Sequence, residues 1–189
     1  MTIGFVLGNG KSRLAIDPKE LMSKGSVYAC NAIYREFTPH VLIATDRLIA
    51  QRIQDEGVDK KVKFWTRRPA PESSALKIER PYFGMSSGPV AVSRSCINGD
   101  STIYLVGFDL GSTNDKFNNV YADTEFYKKS DDPPTFAGNW VYQLHQIAKE
   151  FKNTRLFRVT GPESADIEWN EDNISNISMD DFKAVINKL

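Results

Sequence analysis

The chain has few of the residues that usually mark a metal site, a disulfide scaffold or a membrane segment. Its 189 residues include only two cysteines and two histidines. Cys30 and Cys96 lie far apart in sequence and show no paired metal spacing. No apolar run approaches the roughly 20 residues that a membrane span requires. These absences favour a cytoplasmic protein with reduced cysteines and no membrane span.

The chain also lacks an excess of charge of either sign. Lys and Arg total 24, Asp and Glu total 24, and the formal net charge is zero. Proteins that bind nucleic acid usually carry a positive surplus on one face, so nucleic acid is not expected as a partner. The basic stretch from Lys60 to Arg68 is interpreted as a solvated edge strand. A homo-oligomer through a strand edge is left open.

Apolar runs of strand length alternate with helix-like segments along most of the chain. Hydrophobic residues make up 41% of the sequence, and the length suits one domain with its own core. The alternation predicts an α/β protein: a single Rossmann-like domain over residues 1–189, with a mainly parallel sheet flanked by helices. The predicted strands are 2–7, 26–30, 41–44, 62–65, 102–108 and 155–159. The predicted helices are 14–23, 46–56, 88–97, 138–151 and one that begins after Ser178.

A polar segment with scattered aromatic residues interrupts this alternation between residues 111 and 135. Ser, Thr, Asn, Asp and Lys dominate it, and Phe117, Tyr121, Phe126 and Tyr127 are interspersed. A long polar loop inside a compact domain is usually functional or disordered. The aromatic residues favour a lid-like insertion that folds over a site.

The first predicted strand ends in the turn Gly8-Asn9-Gly10-Lys11-Ser12. Glycines allow a tight turn and a close ligand, and the following helix would offer unpaired N–H groups and a positive dipole. We therefore expect the turn to hold the phosphate of a nucleotide, with Asn9 and Ser12 facing the ligand. The turn matches neither a complete dinucleotide fingerprint nor a complete phosphate loop. A plain tight turn with a capping serine is the alternative.

Other polar residues follow predicted strands or begin predicted helices. Asn31 follows the second strand, Ser86-Ser87-Gly88 begins a helix, and Asp109 follows the strand 102–108. Because the carboxyl ends of parallel strands form the ligand crevice, we expect these residues to meet there. Asn139 either caps the helix after the lid or faces the crevice. Asn31 and Asp109 have the alternative role of capping a turn or loop. The expected nucleotide-binding residues are Gly8, Asn9, Gly10, Ser12, Asn31, Ser87, Gly88, Asp109 and Asn139.

These motifs occur in an order that resembles the bacterial sialyltransferases of glycosyltransferase family 42. The matching segments are Gly8-Asn9-Gly10-x-Ser12, Cys30-Asn31-x-x-Tyr34, Ser86-Ser87-Gly88 and the strand 103–109. The chain also resembles the related domain of motility-associated glycosylation factors and the archaeal hydroxymethylpterin pyrophosphokinase. The resemblance implies a metal-independent transferase that needs no cofactor and takes a sugar from a nucleotide-activated donor. It further implies that Asn9, Ser12, Asn31, Ser87 and Gly88 contact cytidine monophosphate (CMP).

The chain departs from the resembled family at the catalytic position. That family has a histidine general base at the start of the helix after the lid, and lid tyrosines that steady the leaving phosphate. Here the matching residues are Gly138-Asn139-Trp140, and an amide cannot accept a proton at neutral pH. Tyr121 and Tyr127 are the candidates for the phosphate. His40 and His145 are interpreted as structural, so no catalytic residue is assigned.

Two other functions stay open on the sequence. A pterin-type pyrophosphokinase would need magnesium, for which Asp46 and Asp109 are the best-placed carboxylates. A non-catalytic nucleotide-binding protein would explain the missing histidine directly.

Overall fold

The fold is built on one eight-stranded sheet. A computed structural model describes residues 2–189 of the chain. The strands are β1 (Ile3–Leu7), β2 (Ser26–Cys30), β3 (Val41–Ala44), β4 (Lys63–Thr66), β5 (Leu76–Lys77), β6 (Thr102–Val106), β7 (Arg155–Thr160) and β8 (Ile174–Ser178). Their order is β5-β4-β3-β2-β1-β6-β7-β8, and every neighbouring pair is parallel. The predicted α/β, Rossmann-like class is confirmed.

Within residues 2–189, four α-helices cover the two faces of the sheet. They are α1 (Arg47–Asp55), α2 (Ser87–Ile97), α3 (Gly138–Glu150) and α4 (Met179–Ile186). The buried residues of α1 and α4 share one hydrophobic core, and those of α2 and α3 share the other. Among residues 2–189, no helix combines the length and apolar character needed to cross a bilayer.

Strand β1 shows why the central strands read as continuous apolar runs. Successive side chains of a strand point to opposite faces. Phe5 and Leu7 accordingly join the core under α1 and α4, while Val6 joins the core under α2 and α3. A parallel strand covered on both faces has no polar side. The short apolar runs in the sequence therefore located the central strands.

The predicted helix over residues 14–23 is replaced by two 3₁₀ helices, Lys11–Ala15 and Pro18–Ser23. Asp17 caps the second, because its carboxylate accepts a hydrogen bond from the Lys19 N–H at 3.0 Å. Pro18 occupies the first helical position, where its missing N–H costs nothing. The Asp-Pro step therefore divides the segment.

The two outer strands of the sheet were not predicted. The interpretation of residues 60–68 as an edge strand is wrong, because β4 pairs with β3 on one side and with β5 on the other. β5 has two residues, and both are exposed. β8 is polar at three of its five positions. Neither outer strand carries the apolar run that revealed the inner ones.

The strand order reverses between β1 and β6. The chain adds β2 to β5 on one side of β1, then returns to place β6, β7 and β8 on the other. The strand ends meet closely, because a Cβ on Gly8 would lie 2.6 Å from the Gly107 carbonyl oxygen. A Cβ on Gly107, whose φ is +75°, would lie 2.8 Å from the Gly8 carbonyl oxygen. In open parallel sheets, ligands bind at the carboxyl ends of the strands at such a switch point.

Candidate nucleotide site

A cavity of about 350 Å³ lies at this switch point. Its volume falls in the range of small-molecule sites. The first residues after five parallel strands contribute to its wall, together with the start of α2, part of the lid segment (residues 111–135) and α3. Seven of the nine expected residues line it: Gly8, Asn9, Gly10, Asn31, Ser87, Gly88 and Asp109. Their role in ligand binding stays a prediction.

Ser12 and Asn139 do not line the cavity. Ser12 lies inside a 3₁₀ helix and is 2% exposed, and its hydroxyl has no hydrogen-bond partner among residues 2–189. Asn139 is the second residue of α3 and is exposed. The N-cap residue is Ala137 and not Asn139. Trp140, the next residue, lines the cavity instead.

The glycine turn differs from the expected phosphate cradle. Four of its five N–H groups are used within the protein: Gly8 N–H donates to the Val106 carbonyl and Gly10 N–H to the Gly107 carbonyl, both at 2.8 Å. Lys11 N–H donates to Asn118 Oδ1 at 2.9 Å, and Ser12 N–H to Asp109 Oδ2 at 3.0 Å. An N–H group already bonded to the protein is not free to bind phosphate. The glycines are explained by the close approach of the β1 and β6 ends.

Ser87 joins three parts of the cavity wall. Its Oγ accepts a hydrogen bond from the Thr45 N–H at 3.0 Å and lies 2.9 Å from Thr45 Oγ1. The same hydroxyl donates to Asn31 Oδ1 at 3.0 Å. Asn31 has φ +55°, a conformation that asparagine adopts more readily than most residues. Because Asn31 Oδ1 is bonded to Ser87, the Asn31 Nδ2 group is left to donate to a ligand.

The positive corner of the cavity lies at the start of α2. Ser87 and Gly88 are the first two residues of this helix, and the first-turn N–H groups of a helix have no intrahelical partner. The Arg67 guanidinium lies beside them, where Nη2 donates to the Met85 carbonyl and Nε to the Phe83 carbonyl, both at 2.8 Å. Arg67 forms no ion pair in the described part of the chain. This corner suits an anion.

Asp109 is a structural carboxylate. It is 3% exposed, and its Oδ2 accepts from the Ser12 N–H while Oδ1 accepts from Ser164 Oγ at 2.9 Å. Both oxygens are thus bonded within the protein, which disfavours Asp109 and Asp46 as the magnesium pair of the alternative pyrophosphokinase. No group of three or more His, Cys, Asp or Glu side chains able to hold a metal occurs among residues 2–189.

Arg158 fixes the loop that carries Asp109. This fully buried side chain of β7 donates to the carbonyls of Phe108, Asp109 and Ala165 at 2.7–2.8 Å. Burial lowers the pKa of the guanidinium to about 10, against the opposing effect of the Asp109 and Asp166 charges. At neutral pH the group therefore stays charged.

The lid segment folds onto the glycine turn. The Val120 N–H donates to the Asn9 carbonyl at 2.8 Å. Asn118 binds Lys11 through Oδ1, and its Nδ2 donates to the Gly111 and Glu163 carbonyls at 3.1 and 3.0 Å. Asn118, Asn119 and Thr135 then form part of the cavity wall.

An ion pair between the buried Arg13 and the exposed Glu36 anchors the same segment farther along. Arg13 is 1% exposed and binds both carboxylate oxygens of Glu36, at 2.9 and 3.2 Å. The Tyr121 hydroxyl donates to Glu36 and accepts from Arg13. Desolvation acts to raise the pKa of Glu36, but the hydrogen bonds from Arg13 and Tyr121 outweigh it and leave the pKa below its ordinary value.

Neither candidate lid tyrosine lines the first cavity. Tyr121 belongs to the Arg13–Glu36 cluster, and the Tyr127 hydroxyl accepts a hydrogen bond from the Ala32 N–H at 3.3 Å. The histidines are also engaged elsewhere. His40 Nδ1 accepts from the Val27 N–H, and His145 Nδ1 lies 2.5 Å from Glu171 Oε2.

Comparison with known proteins supports the fold. No protein-family model matches this chain, and no curated protein matches it. Among solved structures, it is similar to the sialyltransferase CstII from Campylobacter jejuni in complex with a substrate analogue, cytidine-5′-monophosphate. The TM-score is 0.55 with 15% identity, over 84% of this chain and 79% of that one. The chain has a sialyltransferase-like fold.

The sialyltransferase-like fold also contains site residues that the sequence interpretation missed. Thr45 and Arg67 directly follow β3 and β4, as Asn31 follows β2, so the same strand-end rule could have found them. Asn118 and Asn119 lie within the predicted lid but carried no further signal. Cys30 lines the cavity as well, and burial raises its thiol pKa to about 12, so it is neutral.

Proposed function

We propose that this chain binds the nucleoside monophosphate part of a nucleotide-activated sugar in the switch-point cavity and transfers the sugar. The single observation that carries the proposal is that the wall of one cavity contains both the positive corner and unpaired amide groups. Arg67 and the first N–H groups of α2 suit the phosphate. Asn31 Nδ2 and Asn9 Oδ1 are a donor and an acceptor for the nucleoside.

Asn9 adds an energetic reason to expect a polar ligand. Its Oδ1 is buried and has no hydrogen-bond partner among the described residues, although Asn9 lines the cavity. A buried acceptor left without a partner costs about 1–3 kcal/mol. A ligand hydroxyl or amino group that reaches this oxygen would satisfy it. Ribose hydroxyls and the cytosine amino group are donors of this kind.

CMP is the nucleotide to test, because the structural neighbour was solved with it and the sequence motifs resemble CMP-dependent enzymes. We expect isothermal titration in the presence of EDTA to show CMP binding to the wild-type protein. In Arg67→Gln, CMP affinity should fall by about tenfold or more, since one cation–phosphate contact is worth about 1.5–3 kcal/mol. Cytidine affinity should not change.

The neighbouring residue provides a matched control. Arg68→Gln removes the same charge from an exposed side chain outside the cavity wall, and should leave CMP affinity unchanged. If the wild type does not bind CMP, or if Arg67→Gln and Arg68→Gln behave alike, the proposed site is wrong.

A non-catalytic nucleotide-binding protein is the second candidate. It is favoured by the exposed Asn139 at the place where the resembled family has its histidine, and by the absence of an imidazole from the described cavity wall. CMP binding without turnover of a CMP-activated sugar would support it. A requirement for magnesium and a nucleoside triphosphate would instead indicate the pyrophosphokinase.

A further inference from the structure

A second cavity, of about 320 Å³, adjoins the first. It lies between the start of α1 and the lid segment, and its wall is formed by Asp46, Arg47, Leu48, Ile49, Phe126 and Tyr127. Of the described residues, Asp46 alone lines both cavities. Asp46 therefore lies between the candidate nucleotide site and a second cavity that the proposed nucleotide binding does not occupy.

The Asp46 carboxylate is free to act on a ligand. Asp46 is the N-cap residue of α1, but its side chain accepts no capping hydrogen bond. It forms no ion pair within residues 2–189. Asp109, the other carboxylate of the first cavity, has both oxygens bonded to the protein. Of the described carboxylates that line the first cavity, only Asp46 can therefore take a proton from a bound hydroxyl without losing a hydrogen bond that holds the fold.

The wall of the second cavity is apolar and held in place. Leu48 is 66% exposed and Phe126 is 36% exposed, so both present apolar surface that the fold itself does not bury. Arg52 lies 5.4 Å from the Phe126 ring centroid and binds both carboxylate oxygens of Glu125, at 2.7 and 3.0 Å. Aromatic and aliphatic walls with a small number of polar groups, here Asp46 and Arg47, are typical of small-molecule sites. A sugar ring or glycoside fits this chemistry, with an apolar C–H face and hydroxyl groups at its rim.

We propose that Asp46 is the general base of the glycosyl transfer and that the second cavity binds the acceptor, a saccharide or glycoside. This inference rests on the proposed function. The acceptor hydroxyl oxygen forms a new bond to the anomeric carbon of the donor sugar. The bond from that carbon to the phosphate oxygen breaks, and its electron pair leaves with the nucleoside monophosphate. The hydroxyl proton passes to Asp46, which returns it to solvent.

The first arm of the test removes the base. In Asp46→Asn, kcat for transfer from CMP-sialic acid to p-nitrophenyl β-galactoside should fall by about 100-fold or more. The melting temperature should stay close to wild type, because the carboxylate makes no contact that holds the fold. The matched control is Asp55→Asn, which removes an exposed carboxylate from the other end of α1 and should retain wild-type kcat.

The second arm tests the acceptor cavity. Leu48→Ala should raise the KM for p-nitrophenyl β-galactoside by about fivefold, since truncating a contacting leucine removes roughly 1 kcal/mol of apolar contact. Its CMP affinity should not change. Leu14→Ala is the control, because Leu14 is equally exposed, at 66%, and lies outside both cavities.

The outcomes separate the two proposals. If wild-type protein does not bind CMP, the proposed function is wrong, and the proposed role of Asp46 is wrong with it. If CMP binds but wild-type protein neither transfers nor hydrolyses CMP-sialic acid, the nucleotide site stands and the role of Asp46 is wrong. Transfer at the wild-type rate by Asp46→Asn also overturns it. An equal KM for Leu48→Ala and Leu14→Ala overturns the acceptor site.

Discussion

At the scale of single residues, the contacts of a side chain matter more than its type. Asp46 and Asp109 are both carboxylates at the end of a parallel strand, yet only Asp109 is bonded at both oxygens. Asn31 and Asn118 are both cavity amides, but Asn118 uses its Oδ1 and Nδ2 groups to hold the lid segment. Residue type predicted where polar groups gather, but the free groups could be identified only from the hydrogen bonds.

Arg158 gives the residue-scale prediction. In Arg158→Met, the carbonyls of Phe108, Asp109 and Ala165 lose a charged donor and stay buried. Hydrogen bonds to charged groups are worth about 1.5–3 kcal/mol each and are not fully additive. We expect the free energy of unfolding to fall by about 3–5 kcal/mol, measured by urea denaturation. CMP affinity should fall too, because Asp109 lies in the cavity wall.

The control for this prediction lies on the same strand. Arg155→Met changes an exposed arginine of β7, so its effect on the free energy of unfolding should stay within about 0.5 kcal/mol. Equal losses in the two variants would show that the three carbonyl contacts of Arg158 do not stabilise the loop.

At the scale of elements, the sequence identified the strands that are buried on both faces of the sheet. The inner strands β1, β2, β3 and β6 have only buried or nearly buried residues, so their apolar runs were visible without neighbours. β5 and β8 lack this signal because each has only one neighbouring strand and exposed side chains. The hydrogen-bond partners of the glycine turn could not be predicted for a related reason. Its N–H groups bind Val106, Gly107, Asp109 and Asn118, which are about 100 residues away in sequence.

The lid segment supplies the element-scale prediction. Tyr121→Phe removes the hydroxyl that binds Glu36 and Arg13, and a hydrogen bond to a charged group is worth about 1.5–3 kcal/mol. Local opening should therefore be at least about tenfold more frequent. Trypsin cleavage at the exposed residues Lys116, Lys128 and Lys129 should accelerate by the same factor.

Two comparisons make this proteolysis experiment decisive. Tyr142 is an exposed tyrosine of α3. The Tyr142→Phe variant should be cleaved in the lid segment at the wild-type rate. CMP should slow cleavage in both variants and in wild type, because the segment forms part of the cavity wall. Cleavage of Tyr121→Phe at the wild-type rate would mean that the ion-pair cluster does not hold the segment.

At the scale of the whole molecule, the site depends on the switch point and not on a local motif. The positive corner of the cavity combines Arg67, which follows β4, with the start of α2. The unpaired amide groups follow β1 and β2. Strand order decides that these segments meet, and strand order was not contained in any one motif. The predicted class, the strand-end rule and the motif at the start of α2 located seven of the residues that line the cavity. They could not show which hydrogen-bond donors and acceptors remain unpaired.

Buried tyrosines carry a prediction for the entire fold. Burial raises the pKa of Tyr28 to about 12, and it also raises the pKa of Tyr34, Tyr82, Tyr104, Tyr121 and Tyr127. A tyrosine of the unfolded chain ionises near pH 10. Above that pH the unfolded state holds fewer protons than the folded state, so the free energy of unfolding falls as pH rises. Tyr28 contributes stability that is complete below pH 10 and is lost as pH rises toward 12.

Two variants isolate the contribution of Tyr28. Tyr28→Phe removes the titrating group and the hydrogen bond from Asn98 Nδ2, while Asn98→Ala removes only the bond. Both should lose about 1 kcal/mol at pH 7. Between pH 10 and pH 12, Tyr28→Phe should show a slope shallower than wild type by up to about 1.4 kcal/mol per pH unit. Asn98→Ala should keep the wild-type slope, because burial rather than the bond is the main cause of the raised pKa. Urea unfolding across this pH range measures both slopes, and identical slopes in the two variants would contradict the assignment to Tyr28.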